Sequence, residues 1–155
     1  MAKGYLLDNN HVAAWYNKMP QVMQKVRSLP PETLICTCAI ILGEVEAGHE
    51  MTKTSQQTIR DDYKKWVDTK FLAHCIDVRS NVRNSYAKIL GKLWEKYPPP
   101  QGKKTERHLA EVHGVDINDV WSAAVAYSHG LVFVTNDRMK KIREALPELQ
   151  FEDWM

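Results

Sequence analysis

The stretch NDVWSAAVAYSHGLVFVTNDR, residues 118–138, encodes a helix, a turn and a strand in succession. Asn118 or Asp119 is placed to cap a helix through Tyr127, and the paired Ala123 and Ala124 permit close approach to another backbone. Gly130 is placed to end that helix, and residues 131–134 form an apolar run of strand length. The run breaks into Thr135, Asn136 and Asp137. A helix feeding a strand that ends in an acid is one unit of an alternating α/β chain.

Outward from this unit the same order recurs. Apolar runs of strand length lie at residues 5–7, 34–37 and 71–78, and the tail 149–154 supplies a candidate edge strand. Helical patterns separate them. From Ser80, the residues Val82, Tyr86, Ile89, Leu90, Leu93, Trp94 and Tyr97 recur at steps of one, three and four, one apolar helix face, and Pro98, Pro99 and Pro100 then stop the helix. Residues 55–68 read as a polar helix with Ile59, Tyr63, Trp66 and Val67 on its buried side. No repeat or linker interrupts the chain. The expected architecture is a single domain over residues 1–155, a three-layer α/β/α fold with a mostly parallel central sheet.

Acids fall at informative places. Ligands of open α/β sheets collect beyond the carboxyl ends of the strands. Asp8 directly follows the first apolar run, and Asp137 follows the last core run in the same way. Glu44, seven residues beyond Thr37 within AIILGEVEAG, belongs to a helix leaving that edge, and Asp119 opens the helix before the last core strand. Taken singly, each has a plain structural explanation as a cap, turn former or solvated helix residue. Together in one pocket they would repel strongly, and a hard divalent cation such as Mg²⁺ or Mn²⁺ removes that conflict. Such an ion eases the ionisation of water and neutralises charge on a phosphodiester, so the chemistry implied is metal-assisted hydrolysis.

Composition narrows the classes. The 155 residues carry 21 basic and 19 acidic side chains, a formal net charge of +2, so no global field marks a nucleic-acid binder and any such role depends on local placement. No run approaches the length of a membrane span and no secretory signal opens the chain, so a soluble, cytoplasmic protein is expected. Cys36 and Cys38, two apart on a strand, share a face, and with Cys75 they read as reduced, buried small hydrophobes. The phosphate loop, the dinucleotide glycine fingerprint and the Gly-x-Ser-x-Gly elbow are all absent.

The segments LLDNNHV, IILGEVEAG, NDVWSAAVAYSHGLVFVTNDR and LPELQFEDW resemble, in order and spacing, the PIN-domain ribonucleases, and among them the VapC toxins of toxin-antitoxin pairs. The resemblance spans nearly the whole chain. It implies that Asp8, Glu44, Asp119 and Asp137 form an acidic Mg²⁺- or Mn²⁺-binding quartet, with Asn10, Thr135 and Asn136 in support. It further implies cleavage of RNA, a homodimer, and silencing by an antitoxin protein. Three positions depart from the family pattern. Asn9 stands where Thr or Ser is usual, Met139 where many relatives carry a further acid, and Ser122 where an apolar residue precedes the paired alanines.

Further residues carry a functional and a plainer reading side by side. Lys103, Lys104 and Arg107, ahead of Asp119, and Arg138, next to Asp137, are candidate contacts to RNA phosphates, set against a solvated loop and a local ion pair. His108 and His113 are five apart, which does not suit a zinc site on one helix face. His11 reads as a surface residue, and most of the five tryptophans read as core, Trp15 with Tyr16 being an alternative partner surface. The sequence as a whole reads as a metal-dependent endoribonuclease of the toxin type. The alternative is a non-catalytic module of the same fold that binds RNA or protein. An aspartyl phosphatase or phosphoacceptor also places an acid after the first strand, but it expects a lysine after a late strand, where VFVTND supplies none.

Overall fold

The computed structural model describes residues 3–52 and 54–155. Five strands, β1 (Tyr5–Leu7), β2 (Ile35–Cys38), β3 (Cys75–Ile76), β4 (Val132–Val134) and β5 (Phe151–Glu152), form one sheet in the order β3-β2-β1-β4-β5. Every pairing is parallel. The chain therefore starts at the centre, builds outward through β2 and β3, and crosses back to place β4 on the other side of β1. That reversal opens a crevice beyond the carboxyl ends of β1 and β4.

The helices are α1 (Asn9–Tyr16), α2 (Pro20–Ser28), α3 (Ala39–Glu50), α4 (Gln57–Phe71), α5 (Ser80–Lys96), α6 (Thr105–His113), α7 (Ile117–Ser128) and α8 (Lys140–Ala145). Side chains alternate across a strand, so each strand serves two cores. Leu6, Cys36, Cys38 and Phe133 face one layer with Ile89 and Leu93 of α5 and with Val120, Ala123 and Ala124 of α7. Tyr5, Leu7, Val132 and Val134 face the other, with Val12 of α1, Val22 of α2, and Val67 and Phe71 of α4. Helix α3 gives Ile41 to the first core and Val45 to the second. This is the expected three-layer α/β/α arrangement.

Several expectations are corrected. The apolar run at residues 71–78 yields only β3: Phe71 ends α4, where its ring meets Trp15 and Trp66, and a 3-10 turn over Leu72–His74 intervenes. Tertiary packing of an aromatic cluster there outweighs local strand propensity. Ile59 and Trp94, expected on buried helix faces, are 68% and 51% exposed, because no layer lies outside α4 or beyond the end of α5 to cover them. The other four tryptophans do serve the cores as expected: Trp154 is buried, and the half-buried Trp15, Trp66 and Trp121 pack against them. Helix α7 is capped neither by Asn118 nor by Asp119 but by Asp116, whose carboxylate accepts from the Asn118 N–H at 2.7 Å. The shift frees Asp119 from capping and sets it in the first turn. Gly130, at φ +62°, does end that segment.

Cys36 and Cys38 are buried and share the α5–α7 core; Cys75 is half-buried, and all three are unpaired thiols. Burial pushes the Cys36 thiol up to about 12. No described helix is long and apolar enough to cross a membrane.

Truncating the central strand tests the two-core arrangement. Leu6→Ala, at a side chain with no exposure, is expected to cost about 2–5 kcal/mol in urea unfolding, whereas Ile59→Ala should stay within about 0.5 kcal/mol of the parent.

Candidate active site

Asp8 immediately follows β1 and caps α1, and its backbone N–H donates to the Val134 carbonyl of β4 at 3.0 Å, so the ends of the two strands are tied together. Asp137 follows β4 in a tight turn. The buried Thr135 hydroxyl accepts from the Asp137 N–H at 3.0 Å, and Asp137 Oδ1 accepts from the Met139 N–H at 3.1 Å. Met139 completes that turn in the left-handed region, φ +39°, a conformation that costs a side-chain-bearing residue about 1 kcal/mol and is held here by burial of its side chain in the core that includes Phe133 and Ile142. Glu44 comes from α3 and Asp119 from α7.

All four acids line one pocket of about 180 Å³, together with Asn9, Asn10, Ile41, Ser122, Phe133 and Met139. The crevice predicted by strand order and the acids predicted by position thus coincide. The supporting residues join the same network: Asn10 Nδ2 donates to Asn136 Oδ1 at 3.0 Å, bridging the loops after β1 and β4. Asn118, whose role the sequence did not disclose, donates through Nδ2 to Glu44 Oε1 at 3.0 Å and so links α7 to α3. Its position one residue before Asp119 was the only signal in the chain.

Each anchored acid is held by one oxygen. Asp8 Oδ1 accepts from the His11 N–H at 2.8 Å and from the His11 ring at 2.9 Å, Glu44 is held through Oε1, and Asp137 through Oδ1. Among the described residues the second oxygen of each receives no hydrogen bond, and neither does the Asp119 carboxylate. Nor, among the described residues, does any lysine or arginine form an ion pair with the four, although the charge of Arg143 acts on Asp137 from farther off. Burial, then the negative charges of Asp116, Asp137, Glu44 and Asp8, push the Asp119 carboxyl up to about 7. Hard carboxyl oxygens with free valences and no directly paired lysine or arginine are a donor set that fits a hard divalent ion. No three of these acids bring their ligand atoms within 4.8 Å of one another; among the described residues that spacing occurs only at Glu46, His49 and Glu50 of α3.

The proposed RNA contacts divide. Lys103, Lys104 and Arg107 line neither the acidic pocket nor its neighbour, and Arg107 Nε donates to Glu111 at 2.7 Å. Arg138 lines the adjoining pocket, with Lys140 and Lys141, and that pocket shares Asp119, Asp137 and Met139 with the acidic one. Lys141 is committed to the His113 carbonyl at 2.7 Å. Arg138 and Lys140 are exposed. His108 and His113 do meet, Nε2 to Nε2 at 3.3 Å, but bring no third ligand. His11 is corrected most sharply: expected at the surface, it has no exposure at all, being enclosed between Asp8, Asp153 and Trp154.

The PIN domain model matches residues 5–145. The chain belongs to the PIN domain family. No curated protein sequence is significantly similar to it. Among solved structures, this PIN domain is similar to VapBC2 from Rickettsia felis bound to a promoter DNA fragment, at 20% identity and a TM-score of 0.73 over 98% of this chain and 99% of that one. It is similar to DNA-bound VapBC from Salmonella typhimurium, at 21% identity and 0.70 over the full length of both chains. A third is VapBC-5 from Mycobacterium tuberculosis, of the VapBC family of toxin-antitoxin systems, at 21% identity and 0.62 over 97% and 96% of the two chains. At these identities the likeness establishes the fold.

The Asp119 environment sets a pH dependence. Its folded-state value lies above the ordinary 3.8, so the folded protein keeps a proton that the unfolded chain releases between about pH 4 and 7, and that contribution to stability is lost as pH rises through about 7. In chelator-treated protein, the stability advantage of Asp119→Asn over the parent should be small near pH 4 and grow to a plateau above about pH 7. Thermal unfolding across that range measures it, and a pH-independent difference would contradict the assigned environment.

Proposed function

We propose that this PIN domain is a metal-dependent endoribonuclease that hydrolyses RNA phosphodiester bonds and serves as the toxin of a toxin-antitoxin pair. The observation that carries the reading is the pocket itself: Asp8, Glu44, Asp119 and Asp137 reach it from four separate segments, with unengaged oxygens and no lysine or arginine ion pair among the described residues. Fixed carboxylates in that state stabilise a cation in place of a proton. Mg²⁺ or Mn²⁺, when bound, would supply charge neutralisation on the phosphodiester and a readily ionised water for hydrolysis.

Within that reading, the protein supplies position. Asp8 and Asp137 are fixed by the ends of adjacent strands, Glu44 by Asn118, and the Asn10–Asn136 bond keeps the two loops in register. Asp8 or Asp119 orients the attacking water. Arg138 and Lys140, on the rim shared with the acids, engage backbone phosphates and bring a single strand to the site. The likeness to VapBC structures supports a cognate antitoxin as partner; a homodimer is the assembly proposed with it. A chain with no described membrane-spanning helix is compatible with a cytoplasmic place of action.

Losing one ligand forfeits several kcal/mol of charge stabilisation, so Asp8→Asn and Asp119→Asn should each lower RNA cleavage by about a hundredfold or more while the circular dichroism spectrum stays that of the parent. Excess chelator should abolish cleavage by the parent, and added Mn²⁺ or Mg²⁺ should restore it. RNA binding with no metal-dependent cleavage would instead support the non-catalytic module.

Replacing Arg138 and Lys140 with alanine should weaken RNA binding broadly across sequences and flatten the slope of log affinity against log salt by about 0.7 for each phosphate no longer neutralised. The same measurement on Lys103→Ala/Lys104→Ala is expected to show a smaller change, because those residues lie off the shared rim.

A further inference from the structure

His11 sits at the junction of the candidate site and the end of the chain, and its ring is entirely enclosed. Most buried imidazoles find hydrogen-bond partners for their nitrogens, and in His11 both have one. Nδ1 lies 2.9 Å from Asp8 Oδ1, and the Trp154 backbone N–H approaches Nε2 at 3.1 Å. A backbone N–H can only donate, so Nε2 is an acceptor and the ring proton resides on Nδ1, directed at Asp8. The Asp153 carboxylate lies 3.2 Å from Nε2 and, with no proton between them, is occupied instead by the Met155 N–H at 2.9 Å.

Two donors from one residue therefore converge on a single oxygen: the His11 backbone N–H and the His11 ring both bond Asp8 Oδ1. This clamps the carboxylate's rotation and leaves Oδ2 as the atom turned to a ligand. Trp154 holds the clamp from behind; its own indole is buried edge-on to Tyr5 and to the His11 ring. Because Trp154 lies just beyond β5, the outer strand is coupled through this one imidazole to the carboxylate at the centre of the sheet.

We propose that His11 is a positioning residue for the metal site: its Nδ1–H fixes Asp8 so that Oδ2 faces the cation, and the C-terminal segment at Trp154 sets the ring's tautomer. The proposal rests on the nuclease reading of the acidic pocket. Groups that orient a metal ligand typically change metal affinity by about 10–100-fold when removed.

Mn²⁺ binding to the purified protein, followed by titration calorimetry without RNA, provides the test, with unfolding temperature in chelator as the control for folding. His11→Phe keeps an aromatic ring but removes the donor, and should weaken Mn²⁺ about 10–100-fold. His11→Asn places an amide N–H where Nδ1 was, and should recover most of the affinity despite losing the acceptor for Trp154. His11→Gln reaches toward Trp154 but not toward Asp8, and should bind Mn²⁺ more weakly than His11→Asn. If the phenylalanine variant does not fold, the Asn and Gln pair decides. A folded His11→Phe with parental affinity, or Asn and Gln variants that bind equally, overturns the positioning role while leaving the nuclease reading intact. A parent protein with no Mn²⁺ affinity overturns both.

Discussion

Like charges at the rim of a parallel sheet are the constraint around which this fold is arranged. The strand order β3-β2-β1-β4-β5 places the reversal of strand order between the parallel β1 and β4, and the residues that leave those two strands are Asp8 and, after a short turn, Asp137. Helices α3 and α7 bring Glu44 and Asp119 to the same crevice. Mutual repulsion and burial raise the proton affinity of Asp119, yet the protein provides no lysine or arginine partner for any of the four among its described residues. It anchors three of them instead through hydrogen bonds from the His11 N–H and ring, the Asn118 amide, and the Met139 N–H. Such anchors fix the geometry that the proposed cation site requires.

Much of this was legible in the chain because the signals were local. An apolar run followed at once by an acid places a carboxylate at a strand end whatever else the fold does, and both Asp8 and Asp137 are found there. The α7 unit was legible through its small residues, since Ala123, Ala124 and Ala126 lie wholly in the core beneath α5. The cap was misplaced by two or three residues because Asp116, Asn118 and Asp119 are all good caps, and only the backbone path selects among them. Residues 71–78 failed for a different reason. Their apolar character serves an aromatic cluster in which Phe71 meets Trp66 and the distant Trp15, and no local pattern encodes that meeting of α4 with α1.

His11 was the least legible of all. A histidine directly after a polar pair resembles a surface residue, and what buries it is Trp154, 143 residues away in sequence. Its spacing from Asp8 did hold information: a residue three beyond an N-cap donates its backbone N–H to the capping side chain, so any ring at that position starts near the capping carboxylate. What could not be read was that the ring would turn back to the same oxygen.

Two clusters of potential metal ligands stand among the described residues, and their differences discriminate between them. Glu46, His49 and Glu50 are the closer set, within 4.8 Å, as residues three and four apart on one helix face must be. They are also internally engaged: His49 Nε2 bonds Asp61 at 2.6 Å, and Glu46 pairs with Lys64 at 3.4 Å. Proximity there is a product of helix geometry, and two of the three side chains already bond other residues, with the buried His49 Nδ1 left without a hydrogen-bond partner among the described residues. The quartet at the sheet edge has the opposite character, wider in spacing, drawn from separate segments, and left with free oxygens. Mg²⁺ commonly keeps several waters and takes only one or two carboxylates directly, so a wider ring of acids matches an ion bound partly through its water shell. In a hydrolase that shell is also the source of the attacking oxygen, and the wider cluster is accordingly the one to which the proposed chemistry is assigned.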